Sequence, residues 1–216
     1  MVVRWSEKLE DRFAAAFAIP GFHKASTHVG DAGIPLLRYL DFDVVYRDPS
    51  FCRLAVELLG REVRAWAAKT RVDYIAFLEK RANTTGAIIL AGALTIYTGI
   101  PHLVIRLRKD ITHERIPFPA EAGDFPLKNA NVVLLTDYAT TGRELQPAVR
   151  AVRGLGGEVV GVVVLVWDDE RFNRKGEMSE VGITEEMFSL LTPVSEVDQI
   201  AKESQKTLQT ILTGHR

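Results

Sequence analysis

Side chains able to hold a phosphate and a sugar are concentrated between positions 136 and 142, which read TDYATTG. The hydroxyls of Thr140 and Thr141 are hydrogen-bond donors, and Gly142 lets an anion approach the backbone closely. The carboxylate of Asp137 can accept hydrogen bonds from ribose hydroxyls, as an acid does in dinucleotide-binding folds. This pattern favours a binding site for a 5-phosphorylated sugar. The alternative interpretation is an ordinary turn whose Asp and Thr only cap a helix.

The patterns on either side of this segment would position it at the start of a helix. Val132 to Thr136 is an apolar, β-branched run of strand length, and Arg143 to Leu155 has apolar residues at helical spacing. Residues 137 to 142 are therefore predicted to form the turn between a strand and a helix. The first backbone N–H groups of a helix have no internal partners and carry the positive end of its dipole, so such a turn can bind phosphate.

The rest of the chain alternates helical and strand patterns, which predicts an α/β fold with a parallel sheet. Asp48-Pro49-Ser50 is a typical helix start, and Val159 to Val166 is apolar enough for a strand covered on both faces. The other predicted elements are helices over 6–18, from 50 to about 68, over 86–98 and from 195 onward, strands over 72–78 and 102–107, and an extended stretch over 36–46. Ligands bind such sheets at the carboxyl ends of the strands, so the segments that follow the strands should converge on one site.

One of these segments begins with two cations. Lys80 and Arg81 follow the predicted strand that ends at Leu78, and Thr84-Thr85-Gly86 then leads into a helix. Cations beside a helix N-terminus could bind a pyrophosphate. A solvated, charged turn with a capped helix is the alternative.

Residues 106 to 125 follow the next predicted strand and have no helical period. A loop of this length in a compact domain is usually functional or disordered. Its basic residues include Arg106, Arg108 and Lys109, which could supply charge over a leaving phosphate group if the loop closes as a lid. A charged surface excursion is the alternative.

Composition indicates one domain and a small ligand. The 216 residues are 47% hydrophobic and 25% charged, enough for one substantial core, and the formal net charge of −1 argues against a nucleic-acid-binding protein. Cys52 is the only cysteine, so we expect no intrachain disulfide and no cysteine-rich metal site, and the histidines show no spacing typical of a metal site. There is no signal-peptide pattern and no apolar run of about 18 residues, so we expect a cytoplasmic protein without membrane association.

The stretch LLTDYATTG, which ends at Gly142, resembles the phosphoribosyl-pyrophosphate motif of the type I phosphoribosyltransferases: an apolar strand, two acids, two variable residues and Thr-Thr-Gly. Thr136 stands where that family has its first acid, which leaves Asp137 as the only carboxylate of the motif. The resemblance implies that family's α/β fold, a central parallel sheet flanked by helices with a small hood from the N- and C-terminal segments and a flexible lid loop. It also implies one domain over 1–216, with about 1–45 contributing to the hood and about 46–195 forming the core.

The same resemblance assigns roles to the segments that follow the strands. Lys80 and Arg81 take the position of the pyrophosphate-binding loop, and Arg106 or Arg108-Lys109 takes the start of the catalytic lid. The implied catalytic residues are Asp137, Arg108 and Lys109. The residues implied to bind phosphoribosyl pyrophosphate are Thr136, Asp137, Tyr138, Ala139, Thr140, Thr141, Gly142, Arg143, Lys80, Arg81 and Arg106.

Within this family the likeness is greatest to orotate phosphoribosyltransferases. Residues 38–59, 100–106 and 182–197 are similar to that group's N-terminal Tyr-x-Asp segment, the strand before its lid and its closing strand. Asp168, however, takes the position of an arginine that pairs with the carboxylate of the base, and an acid there would repel orotate. Asp168 or Asp169 could instead accept N–H groups of a neutral base, with Trp167 or Phe172 stacking on it. The alternative places Trp167 in the core and both acids in a solvated turn.

The resemblance leaves three functions open. They are orotate-type phosphoribosyl transfer in pyrimidine synthesis, the same transfer to a purine in salvage, which Asp168 and Trp167 favour, and non-catalytic sensing of phosphoribosyl pyrophosphate, which Thr136 favours. The implied reaction is displacement of pyrophosphate by a base nitrogen, with Mg²⁺ bound mainly through the substrate. The implied partners are phosphoribosyl pyrophosphate, a nucleobase and a second copy of the chain in a homodimer.

Overall fold

The structure, a computed structural model, describes residues 23–25, 38–40, 42, 46–79, 85–109, 115–117, 127–142, 145–172, 178–196, 199 and 202. Its strands are β1 (His23–Ala25), β2 (Arg38–Leu40), β3 (Tyr74–Glu79), β4 (His102–Lys109), β5 (Arg115–Pro117), β6 (Asn131–Ala139), β7 (Glu158–Trp167) and β8 (Phe188–Pro193). Its α-helices are α1 (Pro49–Ala67), α2 (Thr85–Thr98) and α3 (Leu145–Gly154), with short 3-10 helices at Ser179–Val181 and Glu185–Met187.

The main sheet has six strands in the order β5-β4-β3-β6-β7-β8. Five of them run parallel, and β5 pairs antiparallel with β4 at one edge. Strands β1 and β2 form a separate antiparallel pair. The described part of the chain therefore has the parallel α/β architecture that the alternating pattern predicts.

Local chemistry explains why α1 begins where it does. The Asp48 carboxylate accepts hydrogen bonds from the backbone N–H groups of Ser50 (2.7 Å) and Phe51 (3.3 Å), and Pro49 occupies the first turn. The cap satisfies N–H groups that have no partner inside the helix, and Pro is tolerated at a position that needs no donor. The helix start predicted at Asp48-Pro49-Ser50 is confirmed.

Helices cover both faces of the sheet. Helices α1 and α2 contribute to a core on one face together with Val133, Leu135 and Val163, and α3 contributes to a second core on the other face together with Val132 and Val162. The alternation of Val162 and Val163 between the two cores explains why β7 is apolar throughout. Among the described residues, no helix has the length and apolar character that a membrane span requires.

Several predicted boundaries differ from the structure. Strands β4 and β6 run two and three residues further than predicted, to Lys109 and Ala139. The predicted helix over 143–155 is confirmed as α3 over Leu145–Gly154, and residues 143 and 144 lie outside the described part of the chain. The extended stretch predicted over 36–46 is wrong at Phe42 and Tyr46, which are helical and lie in the core beside α1. The predicted helix over 6–18 lies outside the described residues, as does most of the segment from 195 onward.

Candidate active site

The site begins at the carboxyl end of β6. Tyr138 pairs with Val166 and Ala139 with Trp167, so pairing with β7 extends β6 three residues beyond its apolar run. The prediction that residues 137 to 142 form a turn is therefore wrong for Asp137, Tyr138 and Ala139, which belong to the strand. The turn consists of Thr140, Thr141 and Gly142, followed by two residues outside the described part of the chain and then by α3.

Gly142 shapes this turn. Its φ of +86° lies in the left-handed region, where residues with a Cβ are strained, and its carbonyl accepts a hydrogen bond from the Leu145 N–H at 2.9 Å. A Cβ built at position 142 would lie 3.1 Å from Cε2 of Phe172. Glycine is therefore needed here for both conformation and space. Thr140 is half-buried and Thr141 is buried, and the Thr140-Thr141-Gly142 turn comes shortly before the N-terminus of α3, a position that suits an anion.

Thr136 and Asp137 differ in their access to this turn. Thr136 is 4% exposed, and its hydroxyl donates to the backbone carbonyl of Tyr138 at 3.2 Å. Asp137 is half-buried, and its Oδ1 accepts a hydrogen bond from the Tyr138 N–H at 2.8 Å. The hydroxyl of Thr136 is thus hydrogen-bonded within β6. The half-buried carboxylate of Asp137 is the acidic group beside the turn.

The end of β7 is joined to the end of β6. The backbone N–H of Asp168 donates to the Ala139 carbonyl at 2.9 Å, which sets the base-binding candidates next to the phosphate candidates. Oδ1 of Asp168 accepts hydrogen bonds from the N–H groups of Glu170 and Arg171, both at 3.1 Å, and its Oδ2 lies 3.8 Å from Nε of Arg171. Partial burial raises the pKa of Asp168 above the usual aspartate range, although these hydrogen bonds and the Arg171 charge act in the opposite direction.

Asp169 is held in a different way. Its Oδ1 accepts a hydrogen bond from the Ser195 N–H at 3.1 Å. Burial raises the pKa of Asp169, but the hydrogen bonds from Ser195, together with those from the backbone N–H groups of Asp169 and Val194, outweigh burial and bring the pKa below its usual range. Its carboxylate therefore ties the end of β7 to the segment that follows β8.

The two aromatic side chains at the end of β7 and just after it differ in how deeply they are buried. Phe172 is buried and makes edge contacts with Trp167 (ring centroids 6.1 Å apart) and Phe188 (5.6 Å). Its ring also lies against Gly142, and its stacking on a base stays a prediction. Trp167 is half-buried and is the more accessible aromatic candidate for that role.

Comparison with known proteins supports this reading of the fold. No family model matches the chain. The orotate phosphoribosyltransferase of Methanopyrus kandleri is 36% identical over 109 residues, which are 50% of this chain and 54% of that protein. The orotate phosphoribosyltransferase of Pyrococcus horikoshii is 27% identical over 165 residues, 76% of this chain and 82% of that protein. The crystal structure of orotate phosphoribosyltransferase from Aeropyrum pernix has a TM-score of 0.62 at 20% identity, covering 88% of this chain and 95% of that one.

The chain belongs to the type I phosphoribosyltransferases. The fold agrees with this assignment, and so does the TDYATTG segment, which forms the end of β6 and the turn that follows it. The alignment with the Methanopyrus protein spans about half of that protein's length.

The lid expected of a phosphoribosyltransferase starts on a strand rather than in a loop. Arg106, Arg108 and Lys109 lie in β4, whose last three residues pair antiparallel with β5. The predicted loop over 106–125 is therefore wrong for 108–109 and 115–117, because the two segments supply hydrogen-bond partners for each other, while 106 and 107 belong to the strand that was also predicted over 102–107. Arg106 pairs with Glu79, the last residue of β3, so Arg108 and Lys109 extend beyond β3 on the carboxyl side of the sheet.

The structure does not describe the side chains of the remaining residues that are predicted to bind phosphoribosyl pyrophosphate. Lys80, Arg81 and Arg143 lie outside the described residues, and so do the side chains of Arg106, Arg108 and Lys109. Among the described residues, no group of three or more His, Cys, Asp or Glu side chains is arranged to hold a metal ion.

One charged neighbour of the candidate base site was missed from the sequence. Arg171 lies three residues after Asp168, and 28% of its side chain is exposed. The i, i+3 spacing of an acid and a base was visible in the sequence. Only the turn after β7, in which Asp168 accepts from two backbone N–H groups, brings the two charges together.

Proposed function

We propose that the protein is an orotate phosphoribosyltransferase, which transfers the phosphoribosyl group of phosphoribosyl pyrophosphate to orotate and releases pyrophosphate. The observation that carries the proposal is the Thr140-Thr141-Gly142 turn, which follows β6 and is joined through Ala139 to Asp168 at the end of β7. The names of the Methanopyrus and Pyrococcus relatives support orotate as the base.

Each part of the substrate has candidate partners. Thr140, Thr141 and the backbone N–H groups of the turn would hold the 5-phosphate, while Asp137 would accept hydrogen bonds from ribose hydroxyls. The base would lie against Trp167, where Asp168 or Asp169 would accept ring N–H groups of the base while the carboxylate of orotate points away from both acids. Lys80, Arg81 and Arg106, with Arg108 and Lys109 of the lid, would contact pyrophosphate from the neighbouring strand ends; Arg143 would add a cation next to the phosphate turn.

Negative charge that develops on pyrophosphate as its bond to the sugar breaks would lie near the cationic residues named above. A base nitrogen forms a bond to the anomeric carbon as the bond from that carbon to the pyrophosphate oxygen breaks, through an oxocarbenium-like state. Arg108 and Lys109 would stabilise the negative charge that develops on pyrophosphate. Mg²⁺, when bound, would supply further positive charge there, held mainly by oxygens of the substrate, and the half-buried Asp137 carboxylate is a chemically suitable neighbour for it.

We also propose an oligomeric state, a cellular location and a set of ligands for the protein. We expect a homodimer in the cytoplasm that binds phosphoribosyl pyrophosphate and a nucleobase and does not bind nucleic acid. The formal net charge of −1 lacks the basic excess typical of nucleic-acid-binding proteins and so supports a small ligand over a nucleic acid.

The direct test is release of pyrophosphate from phosphoribosyl pyrophosphate and Mg²⁺ in the presence of orotate, measured beside binding of phosphoribosyl pyrophosphate alone. We expect turnover with orotate, a large loss of kcat/KM in Asp137→Asn, and little change in the control Glu62→Gln on α1. Absence of both binding and turnover would overturn the proposal.

One observation favours a purine as the base in place of orotate. Asp168 is a half-buried carboxylate with a raised pKa beside the phosphate turn, and such a group can accept N–H groups of a neutral purine. Turnover with hypoxanthine or guanine but not orotate would assign the protein to purine salvage. Tight binding without turnover on any base would indicate a sensor, the function that Thr136 favours.

A further inference from the structure

Four aromatic rings form a continuous row from α1 to β6. The ring of Phe51, in the first turn of α1, lies 6.1 Å from the ring of Tyr46, measured between centroids. The ring of Phe42 lies 5.9 Å from that of Tyr46 and 6.4 Å from that of Tyr138. These separations are in the range over which aromatic pairs attract each other. We refer to Phe51, Tyr46, Phe42 and Tyr138 as the aromatic row.

The aromatic row ends next to Asp137. The backbone N–H of Tyr138 donates to Oδ1 of Asp137 at 2.8 Å, and the backbone carbonyl of Tyr138 accepts from the Thr136 hydroxyl at 3.2 Å. Tyr138 is the last residue but one of β6, and strand ends open more easily than strand centres. The orientation of the Asp137 carboxylate therefore depends on how firmly Tyr138 is held.

Phe42 holds the side chain of Tyr138. Phe42 is 6% exposed, and its ring stacks on the Tyr138 ring with an angle of 29° between the two planes. Tyr138 is half-buried and packs against the core that contains Phe42. Pairing with Val166 holds the backbone of Tyr138, whereas the stack restricts the rotation of its side chain.

From these contacts we infer that Phe42 is a positioning residue. Acting through the ring of Tyr138, it holds the Asp137 carboxylate where ribose hydroxyls can donate to it. The inference rests on the proposed function, which assigns this ribose contact to Asp137. It gives the Tyr138 ring a supporting role instead of a direct contact with phosphoribosyl pyrophosphate. Binding groups are effective only when they are held within about 0.5 Å of the productive geometry, so a loosened Tyr138 should weaken binding.

Leucine substitutions separate positioning from packing. Phe42→Leu keeps an apolar side chain but cannot stack, and we expect phosphoribosyl pyrophosphate to bind about fivefold or more weakly, measured by calorimetry with Mg²⁺. Phe51→Leu is the matched control, because it removes a buried ring of the same row that lies two rings farther from Asp137. It should lower stability in urea unfolding without changing this affinity. Tyr138→Phe keeps the ring and should bind as wild type does, whereas Tyr138→Leu should reproduce the loss seen in Phe42→Leu.

A double-mutant cycle with Asp137→Asn gives the sharper test. If Phe42 acts through the Asp137 carboxylate, Phe42→Leu should weaken binding much less in the Asp137→Asn background than in wild type. A full, additive loss in that background, or an equal loss of affinity in Phe51→Leu, would overturn the inference. Tyr138→Leu, at a half-buried position, makes the same predictions and takes the place of Phe42→Leu where that variant does not fold.

The same measurements distinguish failure of the positioning role from failure of the proposed function. Wild type that binds no phosphoribosyl pyrophosphate overturns both. Wild type that binds it, together with unchanged affinity in Phe42→Leu, overturns the positioning role of Phe42 alone.

Discussion

The ring of Phe172 lies directly against Gly142, where an added Cβ would be 3.1 Å from Cε2. The two residues belong to different strand–turn segments, one after β7 and one after β6. The contact supports the Thr140-Thr141-Gly142 turn with a buried aromatic ring, which also contacts Trp167 and Phe188. Rigid support of this kind limits how far the turn can move when a ligand binds.

Gly142→Ala should damage both stability and phosphate binding. The left-handed backbone at this position costs a residue with a Cβ about 1–2 kcal/mol, and the new methyl group also crowds Phe172. We expect loss of stability in urea unfolding and at least tenfold weaker binding of phosphoribosyl pyrophosphate by calorimetry. Gly154→Ala is the matched control, because its backbone is not left-handed and its added Cβ would meet nothing within 4 Å. Equal behaviour of the two variants would contradict the role given to Gly142.

Thr136→Asp should not recover the missing acid of the motif. The side chain is 4% exposed and bonded to the Tyr138 carbonyl, so a carboxylate there would be buried without a partner and cost about 3 kcal/mol or more. Thr136→Val, which removes only the hydroxyl, should cost about 1 kcal/mol. The pKa of the introduced acid should be raised, so the stability deficit of Thr136→Asp should shrink as the pH falls. A variant with wild-type stability and increased turnover would show that the new carboxylate reaches the substrate.

Asp168→Asn should change how stability depends on pH. Because burial raises the pKa of Asp168 in the folded protein, folding favours the protonated carboxyl. Its contribution to stability is complete below the unfolded pKa and is lost as the pH rises from about 4 through the folded pKa. Asparagine keeps an oxygen for the Glu170 and Arg171 N–H groups without the charge. The stability of Asp168→Asn relative to wild type should therefore improve from pH 3 to pH 7, measured by urea unfolding; a constant difference would contradict the raised pKa.

Gly161→Ala should disrupt the packing of α1 on β7. A Cβ at position 161 would lie 2.8 Å from the indole of Trp66, whose Nε1–H also donates to the Ser189 hydroxyl at 3.3 Å. We expect overpacking to cost about 1–3 kcal/mol. In a double-mutant cycle, Gly161→Ala should cost much less once Trp66→Ala has removed the ring. An equal cost in both backgrounds would show that the backbone of β7, and not the indole, opposes the methyl group.

Local sequence patterns were sufficient to predict the order of the helices and strands around the candidate site. The start of α1 follows from Asp48 and Pro49, whose interactions lie within three residues, and β7 follows from an apolar run that needs cover on two faces. The likeness of TDYATTG to a known motif also needed only contiguous residues. Such features are readable from sequence because the interactions that determine them are close along the chain.

Contacts between distant segments decided the rest. Pairing with β7 kept Asp137 to Ala139 in a strand, and pairing with β5 did the same for Arg108 and Lys109. The sequence places Thr136 in the motif, but the tertiary structure buries its hydroxyl against a carbonyl. The contact of Phe172 with Gly142 joins residues 30 positions apart. The types and order of the candidate site residues were thus set by the sequence alone, whereas their place in a strand or a turn and their burial were decided by packing partners that no local pattern contains.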